Sequence, residues 1–313
     1  MVLIFAKILS VFGISIIGFA ANKMKWLPME STKYLSLLLI NIASPCLVIY
    51  SMSQEELTAG TIASVVQTAG LMLLALATAT LLSIFTVRVM KVPAADRGVF
   101  RTLLVLTNSG FMGYPLSLAV FGERGLFLMI IANAVFMLYT YSVGVFMLIY
   151  GRDEKLTIKT ALKSIVSIPV ISTIIGLLVF AFGIPLPFLL ENFLGTVGGI
   201  TIPLSMIIIG IQLAESKARD VLKNKHLYET LFLKLIVYPA VLFAILMWLP
   251  VEIFAFCIVI FAMAMPSAAI IPVLSEIYGV NAKVAAQAVF ITTMCSLITI
   301  PICAILLNLY MGI

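Results

Sequence analysis

Charge is what this chain has least of. Of its 313 residues only 10% are Asp, Glu, Lys or Arg, one is histidine, and 63% are hydrophobic. A soluble domain carries roughly a quarter charged residues, so too few remain here to cover a water-facing surface. Cysteine is scarce as well. Cys46, Cys257, Cys295 and Cys303 all fall in apolar stretches and show neither metal-ligand nor disulfide spacing. They read as small buried side chains. No HExxH, paired Asp or Ser/His combination lies within those stretches, which excludes intramembrane hydrolysis and an enzyme in general. No cofactor is implied. The net charge of +6 sits in short polar segments, so it does not indicate a nucleic-acid partner.

What the chain does have is ten charge-free runs: 8–22, 34–54, 57–87, 102–122, 125–151, 164–190, 192–214, 235–251, 253–275 and 284–313. A transmembrane helix needs about 20 mostly apolar residues. Nine runs reach the lower limit, and the first does so if Lys7 snorkels toward the near surface. No basic region precedes the first run, so residues 1–21 read as a span rather than a signal peptide. The expected fold is an all-α polytopic membrane protein with ten transmembrane helices.

The basic residues set its orientation. Seventeen of the 19 fall in alternate polar segments, from Lys23, Lys25 and Lys33 through Arg152–Lys163 to Lys225, Lys234 and Lys283. Basic residues in short loops resist translocation. Both termini are therefore expected outside the plasma (inner) membrane, with the basic loops as anchors on anionic lipid.

Proline and glycine punctuate the two halves alike. A shift of about 158 places Gly18 on Gly176 and Pro45 on Pro203, and one less places Pro115 on Pro272 and Gly122 on Gly279. Five spans per half is an odd number, so the second copy enters from the opposite side. That is the inverted repeat found in many secondary transporters. The expected halves are 1–150 and 151–313, joined at Arg152–Lys163, where Leu156, Ala161 and Leu162 could lie along the interface.

Span four contains Thr107-Asn-Ser-Gly-Phe-Met-Gly-Tyr-Pro115, and span nine Met263-Ala-Met-Pro-Ser-Ala-Ala-Ile-Ile-Pro272. Proline removes a backbone donor and clashes with the preceding turn, and glycine loosens the helix. Irregular backbone at membrane depth is tolerated only inside protein or beside a wet cavity. Both spans are expected to break and cross near the midplane. Half-helices starting at Pro115 and Pro272 would aim free amides at the crossing, and those ending near Thr107 and Ala264 would aim carbonyls. Such a site holds an anion, with room for a cation near Thr107, Asn108, Ala264 and Ser267. Asn41, Ser44 and Pro45 in span two and Asn133 in span five are further polar groups at depth. No ionisable residue is expected centrally in any span, and Glu123, Glu191, Glu252 and Glu276 read as solvated edges.

Asn108-Ser-Gly-Phe-Met-Gly-Tyr-Pro-Leu116 resembles the auxin efflux carrier family, which includes plant carriers and bacterial carboxylate permeases. Asn41-Ile-Ala-Ser-Pro45, Ile202-Pro-Leu-Ser205 and the Pro266/Pro272 pair support the resemblance along the full length. The resemblance implies a scaffold of spans one, two, six and seven and a moving unit of the rest. It also implies elevator-type alternating access and a homodimer. It places the carboxylate of a small organic anion, auxin-like or malate/malonate-like, near Asn108, Ser109, Gly110, Gly113, Pro115, Ser267 and Pro272, facing Asn41, Ser44 and Pro45. The long central loop of the plant members is missing, which favours the compact bacterial type. Sodium coupling at the carbonyl ends is the alternative, and a ligand-binding sensor a more distant one.

Overall fold

The computed structural model of the chain describes residues 2–150, 168–215 and 224–312. The joint at Arg152–Lys163 lies outside the described residues. Among those described, regular structure is helical, and the one extended pairing is an isolated antiparallel bridge between Thr107 and Ser267.

Helix α1 is Val2–Lys23. Helix α2, Ser31–Leu38, runs through a π-turn at Leu39–Ala43 into α3, Ser44–Ser53, with Pro45 in its first turn. Helix α4, Ala59–Val89, begins where the Thr58 hydroxyl caps the Thr61 amide at 3.1 Å. Helix α5 is Arg97–Val105. Helix α6, Gly113–Tyr139, continues through a π-turn at Thr140–Gly144 into α7, Val145–Ile149.

Gly122 interrupts α6 at φ +71°, a left-handed conformation that glycine adopts without penalty. The Ser117 hydroxyl donates to the Gly125 carbonyl at 2.7 Å across this point. Eight residues of unbroken helix would separate those groups by about 12 Å. The chain therefore turns back at Gly122.

The second part of the chain holds α8 (Ile168–Ala181), α9 (Phe188–Gly199) and α10 (Thr201–Glu215). Helix α11, Lys225–Phe232, passes through a π-turn at Leu233–Val237 into α12, Tyr238–Leu246. Then come α13 (Ile253–Met263), α14 (Ile271–Ile277) and α15 (Ala282–Met311). Gly279, at φ +59°, turns the chain between the last two as Gly122 does in the first half.

Among the described residues, seven helical stretches are long and apolar enough to cross a membrane: 5–23, 31–53, 59–89, 113–149 (interrupted at Gly122), 188–214, 225–246 and 282–311. The chain is a multi-helix membrane protein. The remaining expected crossings involve the shorter apolar helices α8 and α13 and the interrupted α5, none of which reaches that length alone.

Close backbone approaches fix the frame. A Cβ on Gly18 would lie 2.1 Å from the Ile207 carbonyl oxygen, and one on Gly210 2.0 Å from that of Ser15, so α1 and α10 touch backbone to backbone. Gly176 of α8 lies against the Met52 side chain of α3, with its Cβ position 2.9 Å from the methionine Cγ. Glu252, expected to be a solvated edge, forms an ion pair with Arg124 at 2.6 Å, and the Ser64 hydroxyl donates to the same carboxylate. That pair ties together the start of α4, α6 beyond Gly122, and the start of α13.

A crossing of two broken helices

Helices α5 and α13 both stop inside the protein, and the segments that follow them meet. Thr107 and Ser267 face each other in the antiparallel bridge. The Asn108 amide donates to Pro266 O at 2.9 Å, and the Ala268 amide to Leu106 O at 3.1 Å. The exchange is reciprocal, so the two segments are related by a local two-fold. Both are fully buried, a setting in which unpaired backbone is costly.

The carbonyl ends are capped by side chains from the opposite segment. Thr107 Oγ1 donates to Ala262 O at the end of α13, and Ser267 Oγ to Leu103 O of α5 at 2.7 Å. Lys234 Nζ donates to Leu104 O at 3.3 Å and to Val105 O at 3.5 Å. Lys234 is completely buried, inside the π-turn between α11 and α12. This corrects the sequence reading, which placed Lys234 in a loop and no ionisable group at the centre of a span. By sequence the span is the apolar run after Lys234, whereas the helical stretch starts at Lys225.

The amide ends are left open. Among the described residues, the amides of Ser109, Gly110 and Phe111 before α6, and of Ala269 and Ile270 before α14, find no acceptor. Those of Gly110, Phe111, Ala269 and Ile270 border a cavity of about 610 Å³ lined by these residues with Thr107 and Asn108 on one side and by Asn41, Ser44, Thr201 and Ser205 on the other. Asn108 is only 6% exposed, yet its carboxamide has no partner among the described residues. Thr201 Oγ1 is buried without one as well. Asn133 is held differently. Ser109 Oγ donates to Asn133 Oδ1 at 2.8 Å, and Asn133 Nδ2 donates to the Tyr114 hydroxyl at 2.8 Å. That leaves the phenolic proton unspent at the cavity wall.

Chemically, this is a pocket of hydrogen-bond donors with neutral side chains, set in an apolar surround that includes Leu39, Val48, Phe136 and Leu177. Among the described residues, no group of His, Cys, Asp and Glu could hold a metal ion. Residues 3–304 match the model of a family described as membrane transport proteins. The chain belongs to that family. It is the auxin efflux carrier family whose resemblance the Asn108–Leu116 segment carries. Among curated relatives of this membrane transport family, an uncharacterized transporter of Methanocaldococcus jannaschii is 26% identical over 309 residues, covering 96% of this chain and 98% of the relative. A second uncharacterized transporter, from Methanothermobacter thermautotrophicus, is 25% identical over 304 residues, covering 96% and 97%.

Within this transport-family fold, Asn41, Ser44, Thr107, Asn108 and Gly110 come together on the cavity. The other residues singled out in the sequence stand behind it. Ser109 and Ser267 are buried and spend their hydroxyls on Asn133 and Leu103. Gly113 packs under Met129, where a Cβ would meet the sulfur at 3.1 Å. Pro115 is the third residue of α6 and Pro272 the second of α14, each within the first turn rather than at its first position. Ala264 caps the end of α13, and its amide bonds Ile260 O at 2.9 Å. Sequence reasoning missed Lys234, Tyr114 and Thr201. Only Lys234 left a signal, as a lone basic residue flanked on both sides by apolar sequence.

Proposed function

We propose that this chain is a secondary carrier for a small organic anion, which binds at the crossing of the two broken helices. The observation that carries this reading is the pair of amides at Gly110 and Phe111 that, with the Asn108 carboxamide beside them, have no partner among the described residues and line the cavity. Amides at a helix start attract negative charge through direct hydrogen bonds and the helix dipole. The carboxylate sits on those amides and on Asn108. The apolar wall around Phe136, Val48 and Leu177 suits a monocarboxylate with an apolar body, the auxin-like end of the range rather than a malate-like dianion.

The ten-span, inverted-repeat architecture belongs to the same reading. It is supported by the matched turns at Gly122 and Gly279, the reciprocal bridge at Thr107 and Ser267, and the helix pairs α1–α10 and α3–α8. Helices α1, α2–α3, α8 and α9–α10 act as the scaffold of an elevator, and the unit carrying the crossing slides against it. The carrier works as a homodimer in the plasma membrane with both termini outside. The test is uptake of radiolabelled mono- and dicarboxylates by proteoliposomes. Transport by wild type that an Asn108→Ala, Pro115→Ala double variant abolishes supports the site; transport unchanged in that variant overturns it.

A further inference from the structure

Lys234 plays no part in holding the anion, yet it is the one described lysine whose side chain is wholly enclosed near the middle of a membrane-length helical stretch, Lys225–Leu246. The ion pairs among the described residues join Arg124 to Glu252, and Lys225 and His226 to Glu229; none includes Lys234. Its partners are the carbonyls of Leu104 and Val105 at the end of α5. The carbonyls on either side are already taken, Leu103 O by the Ser267 hydroxyl at 2.7 Å and Leu106 O by the Ala268 amide at 3.1 Å. All the carbonyls of this last turn are therefore spent on donors from the protein itself. A buried ionisable group of this kind is expensive to charge and is usually functional. The negative end of a helix, with converging carbonyl oxygens, is also where a free cation would bind in a carrier.

We propose that the Lys234 ammonium is a tethered cation that fills, at the carbonyl end of α5, the place a free coupling cation would take, so that the carrier operates without sodium. The π-turn at Leu233–Val237 serves this by turning the lysine stem inward. The positive charge stays with the protein throughout the cycle, behind the break whose amides receive the anion. The inference rests on the broken-helix geometry that also underlies the anion reading, but not on which anion is carried.

The test is thermal unfolding of the purified full-length protein in sodium, potassium and choline chloride at equal ionic strength. Wild type and Lys234→Arg are expected to unfold at the same temperature in all three salts. Lys234→Ala is expected to unfold several degrees lower in choline and to regain stability saturably with sodium, because removing the stem opens a carbonyl-lined space. Lys234→Met fills that space with apolar atoms and should be less stable without responding to sodium. Lys234→Ser stands in for the alanine variant should that one not fold. Saturable, sodium-specific stabilisation of wild type overturns the proposal, as does a sodium-insensitive Lys234→Ala. Stabilisation of wild type by benzoate in choline chloride reports on the anion site separately, so failure of one reading is distinguishable from failure of the other.

Discussion

Thr107 and Ser267 each cap the helix that leads into the other. Thr107 follows α5 and donates to Ala262 at the end of α13; Ser267 follows α13 and donates to Leu103 at the end of α5. The two broken helices are thus interlocked by side chains as well as by the backbone bridge. Removing the Ser267 hydroxyl leaves the buried Leu103 carbonyl unpaired, at about 1–3 kcal/mol, whereas Ala262 O keeps the Met265 amide at 3.3 Å when the Thr107 hydroxyl is removed. Ser267→Ala is expected to lower unfolding stability by that amount, and Thr107→Val by less. The double variant should depart from additivity, because both changes loosen one junction. A double-mutant cycle by denaturant titration measures this.

Asn108 presents the opposite case. Its carboxamide makes no hydrogen bond among the described residues, so Asn108→Ala should leave the thermal midpoint nearly unchanged. Anion affinity should fall by roughly 10- to 100-fold, the equivalent of about 1.5–3 kcal/mol for a hydrogen bond to a charged group. Comparing the concentration dependence of uptake with the unfolding curve separates the two effects.

Two glycines on α1 separate packing from propensity. A Cβ at Gly13 meets nothing within 4 Å, whereas one at Gly18 meets the Ile207 carbonyl oxygen at 2.1 Å. Gly13→Ala is expected to be neutral or to stabilise by about 0.5–1 kcal/mol through helix propensity. Gly18→Ala is expected to push α1 away from α10 and cost about 1–3 kcal/mol as overpacking. Detergent-solubilised unfolding of both variants makes the comparison.

Glu55 lies in the loop between α3 and α4. Burial raises its carboxyl above the ordinary value of 4.5; nearby Arg124 works against the rise and Glu123 adds to it. The folded state thus binds this proton more tightly than the unfolded chain. The stability that follows is complete below the ordinary value and is lost as pH rises through the raised one. Glu55→Gln is expected to flatten the stability profile above about pH 4.5 and to unfold at a higher temperature than wild type at neutral pH. Thermal scans across that range check the direction.

The sequence showed where the chain breaks because proline and glycine act locally. Gly110, Gly113 and Pro115 cannot all sit in a regular mid-membrane helix, and the same holds around Pro266 and Pro272. It also placed Gly122 and Gly279 in register, and the structure gives both left-handed turns. Two features were missed. Lys234 looked like a loop charge because the carbonyls that accept from it come from Leu104 and Val105, far away in the chain and brought near only by folding. The exact helix start depends on local backbone hydrogen bonds. The amides of Met112 and Gly113 both turn to Asn108 O, which moves the first turn of α6 ahead of Pro115.

Anion capture by the open amides is measured most directly as ligand-dependent stability. Purified protein would be titrated with benzoate, indole-3-acetate, malonate and malate, each beside its uncharged amide, while the unfolding midpoint is followed. A ligand that binds only the folded state raises stability by about 2.7 kcal/mol at 100 times its dissociation constant. The expected result is saturable stabilisation by at least one monocarboxylate, absent with its amide and lost in Asn108→Ala. Equal stabilisation by the neutral amide, or none by any carboxylate, contradicts it.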